Sequence, residues 1–406
     1  MSGLKRTLNL TEVVFFASGV ILGAGIYTII GKAAGVSGNM LWLSFSIAAF
    51  TAFLSICAYA ELISIFPSSG GEFTFVKKTV GIKLAFVVGA MVALSGIISA
   101  ATISLGFAGY LTELVDFPQK ITAILIIIII LGINVLGIRQ SSKVNILFTI
   151  LETLGLLFVI FTAAPALGEV NYFELPDDNI HGILAGAAVC FFAFTGFEDT
   201  IKLAEETKQP EKNIPRGLFI SAAIVSFIYL CVAITVVSMI PFNELAESDS
   251  PLSVVIESRF GKTGSIIIAI VALFSTSNSL LSNMLGSSRV IYNFGKESKK
   301  LKFLSKILPG RKTPAIALLV AASVCIAFSL IGDVKQVALL TNFFMFLTFL
   351  IINITVIYLR VKQKSLKRPF KIPVNINNIP VASMIAILFL IVMIGYTIYG
   401  LTIDAI

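Results

Sequence analysis

The chain reads as a succession of long, almost uncharged apolar runs separated by short polar segments. A bilayer core of about 30 Å needs roughly 20 apolar residues in helical form. Eleven runs approach or exceed that length: 11–34, 40–66, 82–111, 120–137, 142–165, 181–203, 215–240, 263–293, 314–331, 335–359 and 379–402. They are continuous rather than alternating, as from Ile121 to Ile133, so they predict transmembrane helices and not barrel strands.

Composition agrees. Of 406 residues, 57% are hydrophobic and 13% charged, and the mean hydropathy is +0.98. A soluble domain has about 45–50% apolar and about 25% charged residues. An ordinary soluble enzyme and a disordered chain are both excluded. The net charge of +8 has a topological explanation. With the N-terminus inside, 25 of the 30 Lys and Arg fall on the inner side and 5 on the outer, as the positive-inside rule requires. The loop 166–180 carries Glu169, Glu174, Asp177 and Asp178 and no base, which suits the outer face. Residues 1–10 are thus expected in the cytoplasm and the C-terminus outside, in a multi-pass protein of the plasma membrane. The basic excess marks orientation and predicts no nucleic-acid partner.

Metal and cofactor chemistry find little support. Cys57, Cys190, Cys231 and Cys325 all lie in apolar runs without C-x-x-C spacing, and His181 is the only histidine. No H-E-x-x-H, G-x-S-x-G or phosphate-loop motif is present. No cofactor and no metal are expected, and an enzyme is not.

Two spans are interrupted in mid-membrane. Span 1 contains Gly19, Gly23 and Gly25 within S-G-V-I-L-G-A-G-I-Y, and span 6 contains Thr195-Gly196 followed by Glu198-Asp199. Glycine in a membrane helix often only permits close packing. Interruptions at the first position of two successive five-helix sets, however, are the mark of an inverted-repeat transporter with its site at the breaks. Freed amides there face an anionic group and freed carbonyls a cationic one. A zwitterionic amino acid carries both.

Four stretches give the chain a resemblance to the amino acid–polyamine–organocation (APC) superfamily: G-V-I-L-G-A-G-I-Y at 19–27; Y-A-E-L-I-S-I-F-P-S-S-G-G-E-F-T-F-V-K-K at 59–78; F-F-A-F-T-G-F-E-D at 191–199 leading into A-E-E-T-K-Q-P-E-K-N-I-P-R-G at 204–217; and S-S-R-V-I-Y at 287–292. The resemblance implies an all-α, polytopic, five-plus-five inverted-repeat fold of the leucine-transporter type, with helices 1 and 6 broken. Residues 11–165 would form the first repeat, 180–360 the second, and 379–402 an extra eleventh helix. It also implies that the amides of Ala24 and Gly25 bind a substrate carboxylate, with Gly23 permitting the turn. The carbonyls of Ile21, Phe192 and Thr195 would take the ammonium beside Gly196, and Phe192 would gate the site. Ser95, Gly96 and Ala100 on helix 3 are small, leaving room for a side chain, and none is acidic, which favours a neutral amino acid.

Coupling is carried by few groups. Glu152 lies mid-span 5, where an unpaired carboxylate calls for a proton or a partner. Proton-coupled members that resemble this stretch carry Lys there, so this chain reverses the charge. Beside the Gly19 carbonyl and the polar cluster Ser275, Thr276, Ser277 and Asn278, Glu152 either cycles a proton, completes a sodium-like cation site, or serves as a structural acid. Glu61 and Glu198 are second candidates, for gating or for pairing with loop bases, and Pro215 is expected in the first turn of helix 7. The expectation is a secondary active amino acid transporter working by alternating access, most simply a proton symporter of neutral amino acids. An exchanger, a sodium-coupled permease, and a channel or sensor of the same fold are the alternatives. Its partners are the substrate, the coupling ion and the lipid bilayer.

Overall fold

The computed structural model describes residues 6–137, 142–175, 180–308 and 313–403, without the side chains of 142–145 and 403. Of the charges used for orientation, Lys5, Arg139, Asp177, Asp178, Arg311, Lys312 and Asp404 lie outside the described residues, as does the side chain of Lys143.

Every predicted span is matched by helix. The helices are α1 (Leu10–Leu22), α2 (Ala24–Ser37), α3 (Leu41–Ile65), α4 (Gly71–Thr79), α5 (Ile82–Leu111), α6 (Gln119–Leu136), α7 (Ser142–Ala163), α8 (Ile180–Cys190), α9 (Pro210–Met239), α10 (Phe242–Glu247), α11 (Pro251–Glu297), α12 (Ala315–Ser329), α13 (Val334–Lys362) and α14 (Val381–Ile403). Among the described residues, nine apolar helical stretches are long enough to cross a membrane. One of these, Leu10–Ile65, spans 56 residues and holds two predicted crossings, divided by the tight 3₁₀ turn Gly38–Met40. The shorter α12 supplies one more.

Local chemistry sets the ends. Asn9 caps α1 in a reciprocal box: its side chain accepts from the Glu12 amide at 3.0 Å, and the Glu12 carboxylate accepts from the Asn9 amide at 2.8 Å. Asp333 caps α13 through the Gln336 amide at 2.7 Å. The seventh span begins earlier than predicted. Gln209 turns the chain at φ 47°, Pro210 takes the first helical position, and Pro215 therefore falls inside α9 rather than in its first turn. The eighth span likewise has a preceding helical segment from Pro251, joined to it across a break at Gly261.

The core is organised around α1, α2, α3, α5, α8, α9, α11 and α13. α5 packs on α11 and α13, α3 on α8 and α9, and α1 on α7 and α9. Phe15, Leu125, Phe161, Phe227 and Leu388 instead point outward, as lipid-facing side chains do. α14 rests on α13, α3 and α8 as an outer addition. The architecture is the all-α, five-plus-five inverted-repeat transporter fold with one extra helix.

Both first members of the repeats are broken. Between α1 and α2, Gly23 leaves helical geometry at φ −42°, ψ −147°. After α8 the chain tightens into 3₁₀ turns over Phe191–Phe194, becomes extended at Thr195, reverses at Gly196 with φ 112°, and resumes as 3₁₀ over Phe197–Leu203.

Candidate functional site

The two breaks meet. A Cβ on Gly25 would stand 2.7 Å from the Ala193 Cα, and one on Gly196 would stand 2.8 Å from Val20 Cγ1 and 3.0 Å from the Val20 carbonyl. These contacts bring backbone against backbone, so the glycines are required by space and, at Gly196, also by φ. Tyr229 of α9 fastens the crossing. Its buried hydroxyl lies 2.6 Å from the Ile21 carbonyl and 3.1 Å from the Ala193 carbonyl.

A cavity of about 120 Å³ opens beside this crossing. Its walls include Gly19, Ile21, Ala24 and Gly25 from the first break, and Phe192, Thr195, Gly196 and Glu198 from the second. α5 contributes Ser95, Gly96 and Ser99; α11 contributes Asn278, Ser279, Ser282, Asn283 and Ser287; α13 contributes Thr341, Met345 and Thr348. Ten of the site residues expected from the sequence, with Asn278 and Asp199 beside them, thus share one cavity.

Three of the groups expected to bind charge, the Ala24 amide and the Ile21 and Phe192 carbonyls, are already engaged within the protein. The Ala24 amide donates to Ser279 Oγ at 3.1 Å. As the start of α2, this amide and that of Gly25 lack the carbonyl four residues back that helix interiors provide. The Ile21 carbonyl accepts from Tyr229, and the Phe192 carbonyl accepts from Thr195 Oγ1 at 2.7 Å and from the Thr195 amide at 3.2 Å. A carbonyl oxygen has two lone pairs, so Ile21 retains capacity for a further donor.

Part of the cavity wall is charged. Glu72, Glu198, Asp199 and Lys202 line it. Glu198 accepts from the Gly196 amide at 2.9 Å, holding the turn it follows. Lys202 pairs with Asp199. Glu72, on the short helix α4, accepts from the Tyr59 hydroxyl at 3.0 Å. Burial pushes the Glu72 carboxyl above its ordinary value, against the pull of Lys202 and of its hydrogen bonds.

Other predicted residues lie elsewhere. Gly23 sits behind the wall, where a Cβ would approach Ser279 Oγ to 2.5 Å. Ala100 is buried in α5 and Thr276 bonds the Ala272 carbonyl at 2.7 Å, so neither faces the cavity. Glu152 is 1% exposed and outside the cavity wall, and neither carboxyl oxygen has a hydrogen-bond partner. Ser275 approaches it from α11 without closing a bond. The Glu152 backbone carbonyl accepts from Tyr27 of α2 at 3.0 Å, and the Tyr27 carbonyl accepts from Tyr110 of α5 at 3.0 Å. Gly19 lets α1 approach α7 here, since its Cβ would collide with Thr149 Oγ1 at 1.9 Å.

Glu61 stands apart from the cavity altogether. It forms a fully buried two-point pair with Arg360, at 2.6 and 2.5 Å, and a longer contact with Arg368 at 3.3 Å. It also accepts from the Ile372 amide at 3.0 Å. The network fastens the end of α13 and the linker before α14 to α3.

The sequence predicts a polar cluster at Ser275–Asn278 on the eighth span, whereas the cavity-lining face of α11 begins at Asn278 and continues one to three turns further. The signal was the recurrence of Asn278, Ser279, Ser282, Asn283 and Ser287 at spacings of one, three and four, which marks a single helix face. Glu72 and Lys202 reach the cavity only through the fold.

The amino acid permease family model matches residues 8–402. A branched-chain amino acid permease, BcaP, of Bacillus subtilis is 30% identical over 97% of this chain and 89% of its own length. A methylthioribose transporter of the same organism is 25% identical, covering 90% and 84%. A vacuolar cationic amino acid transporter of Arabidopsis thaliana is 29% identical, covering 88% of this chain but 64% of the plant protein. With two crossed helix breaks at a polar cavity and a family match over nearly its whole length, the chain belongs to the amino acid permeases of the APC superfamily and is a multi-pass membrane transporter, not an enzyme.

Proposed function

We propose that this permease carries neutral amino acids by alternating access, in symport with protons. The observation that carries the reading is the crossing of the two breaks at the cavity wall. It sets the amides at the start of α2 and the carbonyls of Ile21, Phe192 and Thr195 around one space. The dipole of α2 favours the carboxylate at Ala24 and Gly25, and the carbonyls suit the ammonium. The branched-chain permease among the relatives supports a neutral substrate.

Residues 11–165 and 180–360 act as the two repeats. With the N-terminus in the cytoplasm, the lining residues of α5, α11 and the 3₁₀ segment Phe197–Leu203 fall on the middle and inner parts of their spans. The cavity therefore belongs to an inward-facing state, in a cell membrane, with the C-terminus outside.

Glu152 is the proposed proton carrier. Its two buried carboxyl oxygens lack hydrogen-bond partners, and no lysine, arginine or histidine pairs with it among the described residues. Such a group needs a proton or a cation to be satisfied. Through its backbone carbonyl it also touches Tyr27, three residues beyond Ala24, so its environment changes if α2 tilts.

Uptake into proteoliposomes tests the reading. An inward proton gradient should drive accumulation of a neutral amino acid, and Glu152→Gln should abolish the pH-driven part while leaving exchange of substrate for substrate. Undiminished pH-driven accumulation by Glu152→Gln would remove this residue from coupling, and accumulation driven by sodium alone would replace the proton.

A further inference from the structure

The half of the cavity built by α5 and α11 is more polar than a pocket for an aliphatic side chain requires. Ser99 and Ser287 are 5% and 4% exposed and line the cavity, yet among the described residues neither hydroxyl has a hydrogen-bond partner. Ser282, on the same face of α11, is also without a partner among the described residues. Asn283 donates its amide nitrogen to the Ser279 carbonyl at 3.0 Å, which leaves its side-chain oxygen as an acceptor at the wall. An isoleucine or leucine side chain placed here would strip water from these groups and return no hydrogen bond. A site built to hydrogen-bond its ligand rejects the analogue that cannot.

Nor do α5 and α11 present a counter-charge, since neither places an acid on the cavity wall. The acids of the cavity come from other elements: Glu198 holds the Gly196 amide, Glu72 accepts from Tyr59, and Asp199 is paired with Lys202. A guanidinium or ammonium side chain directed at α5 and α11 meets hydroxyls and amide groups from those two helices.

We propose that this permease selects polar, uncharged amino acids, those with a hydroxyl or carboxamide side chain, over branched-chain and cationic ones. Ser99, Ser282, Asn283 and Ser287 recognise the side chain, while Val92 and Met345 contact its aliphatic stem. The inference rests on the amino acid reading given above and narrows its substrate class.

The test measures initial uptake of labelled glutamine, threonine, leucine and arginine, each alone, in proteoliposomes. The expected result is a kcat/KM for glutamine or threonine at least about tenfold above those for leucine and arginine. The double variant Ser99→Ala/Ser287→Ala should raise KM for the polar substrates and leave leucine uptake unchanged or improved, so that the ratio collapses. Leucine or arginine matching or exceeding the polar pair overturns the inference. If that uptake is still lost in Gly25→Ala, the amino acid reading itself survives. No uptake of any of the four by protein that elutes as a single species and unfolds cooperatively overturns both.

Discussion

The backbone amide of Ala24 donates to the hydroxyl of Ser279, 255 residues further along the chain, at 3.1 Å. The serine oxygen thereby stands at the amide proposed to receive a substrate carboxylate. Ser279→Ala should leave that amide open. One intramolecular hydrogen bond is worth about 0.5–1.5 kcal/mol net, so apparent substrate affinity should tighten by about two- to tenfold, with a small loss of stability in the empty protein. Equilibrium binding together with thermal unfolding reads both. Weaker binding would make Ser279 a ligand of the substrate instead.

Gly25→Ala places a methyl group 2.7 Å from the Ala193 Cα, where neither backbone has room to yield. The crossing should open, at a cost of about 1–3 kcal/mol and with loss of transport. The control is Gly132→Ala in α6, where an added Cβ meets nothing within 4 Å. It should raise stability by about 0.5–1 kcal/mol and leave transport intact. A melting series in detergent, paired with uptake, distinguishes the two glycines.

Removing one member of the buried pair Glu61–Arg360 leaves the other uncompensated. Arg360→Met or Glu61→Gln should each destabilise by about 3–5 kcal/mol. Glu61→Leu/Arg360→Met should lose less than the two single effects combined, because no charge of the pair is then stranded. Transport per folded molecule should persist in all three, since the pair lies outside the cavity. A transport defect without a stability defect would give Glu61 the gating role considered from the sequence.

Just beyond the C-terminal end of α5, Glu113 is gripped by Lys262 at 2.6 Å, Ser250 at 2.6 Å and Ser265 at 2.7 Å. Burial pushes the carboxyl up, but the bonds from Lys262, Ser250 and Ser265 outweigh it and hold Glu113 below its ordinary value. The unfolded chain therefore binds this proton more readily than the folded one. The stabilisation is present above the unfolded value, about pH 4.3, and fades as pH falls through the lower folded value. Glu113→Gln should melt below the parent at pH 7, and the gap should close progressively below about pH 4.

Much of this was legible in the chain, and for a physical reason. Spans are written as continuous apolar runs because the bilayer demands them residue by residue. The breaks at Gly23 and at Thr195-Gly196 show because small residues are needed wherever two backbones cross. Glu152 stands out because a carboxylate in such a run is costly. Pairings across the fold left weaker traces. Glu61 is 299 residues from Arg360, and no local pattern joins them. Glu72 reads as part of an amphipathic loop helix until α4 folds its carboxylate under the bundle. Ser275 and Ser279 differ by one turn of the same helix, yet only Ser279 reaches the cavity. That distinction depends on how α11 is rotated about its axis.

The shared hydroxyl of Tyr229 has one proton and two carbonyls to serve, Ile21 at 2.6 Å and Ala193 at 3.1 Å. A ligand ammonium that claims Ile21 need not orphan the tyrosine, because a small rotation transfers its bond wholly to Ala193. On the proposed binding mode, arrival of a ligand at α1 would thus be reported to the second break by the reassignment of a single proton. The empty and occupied proteins would keep the same number of satisfied carbonyls while differing in which break α9 grips more tightly.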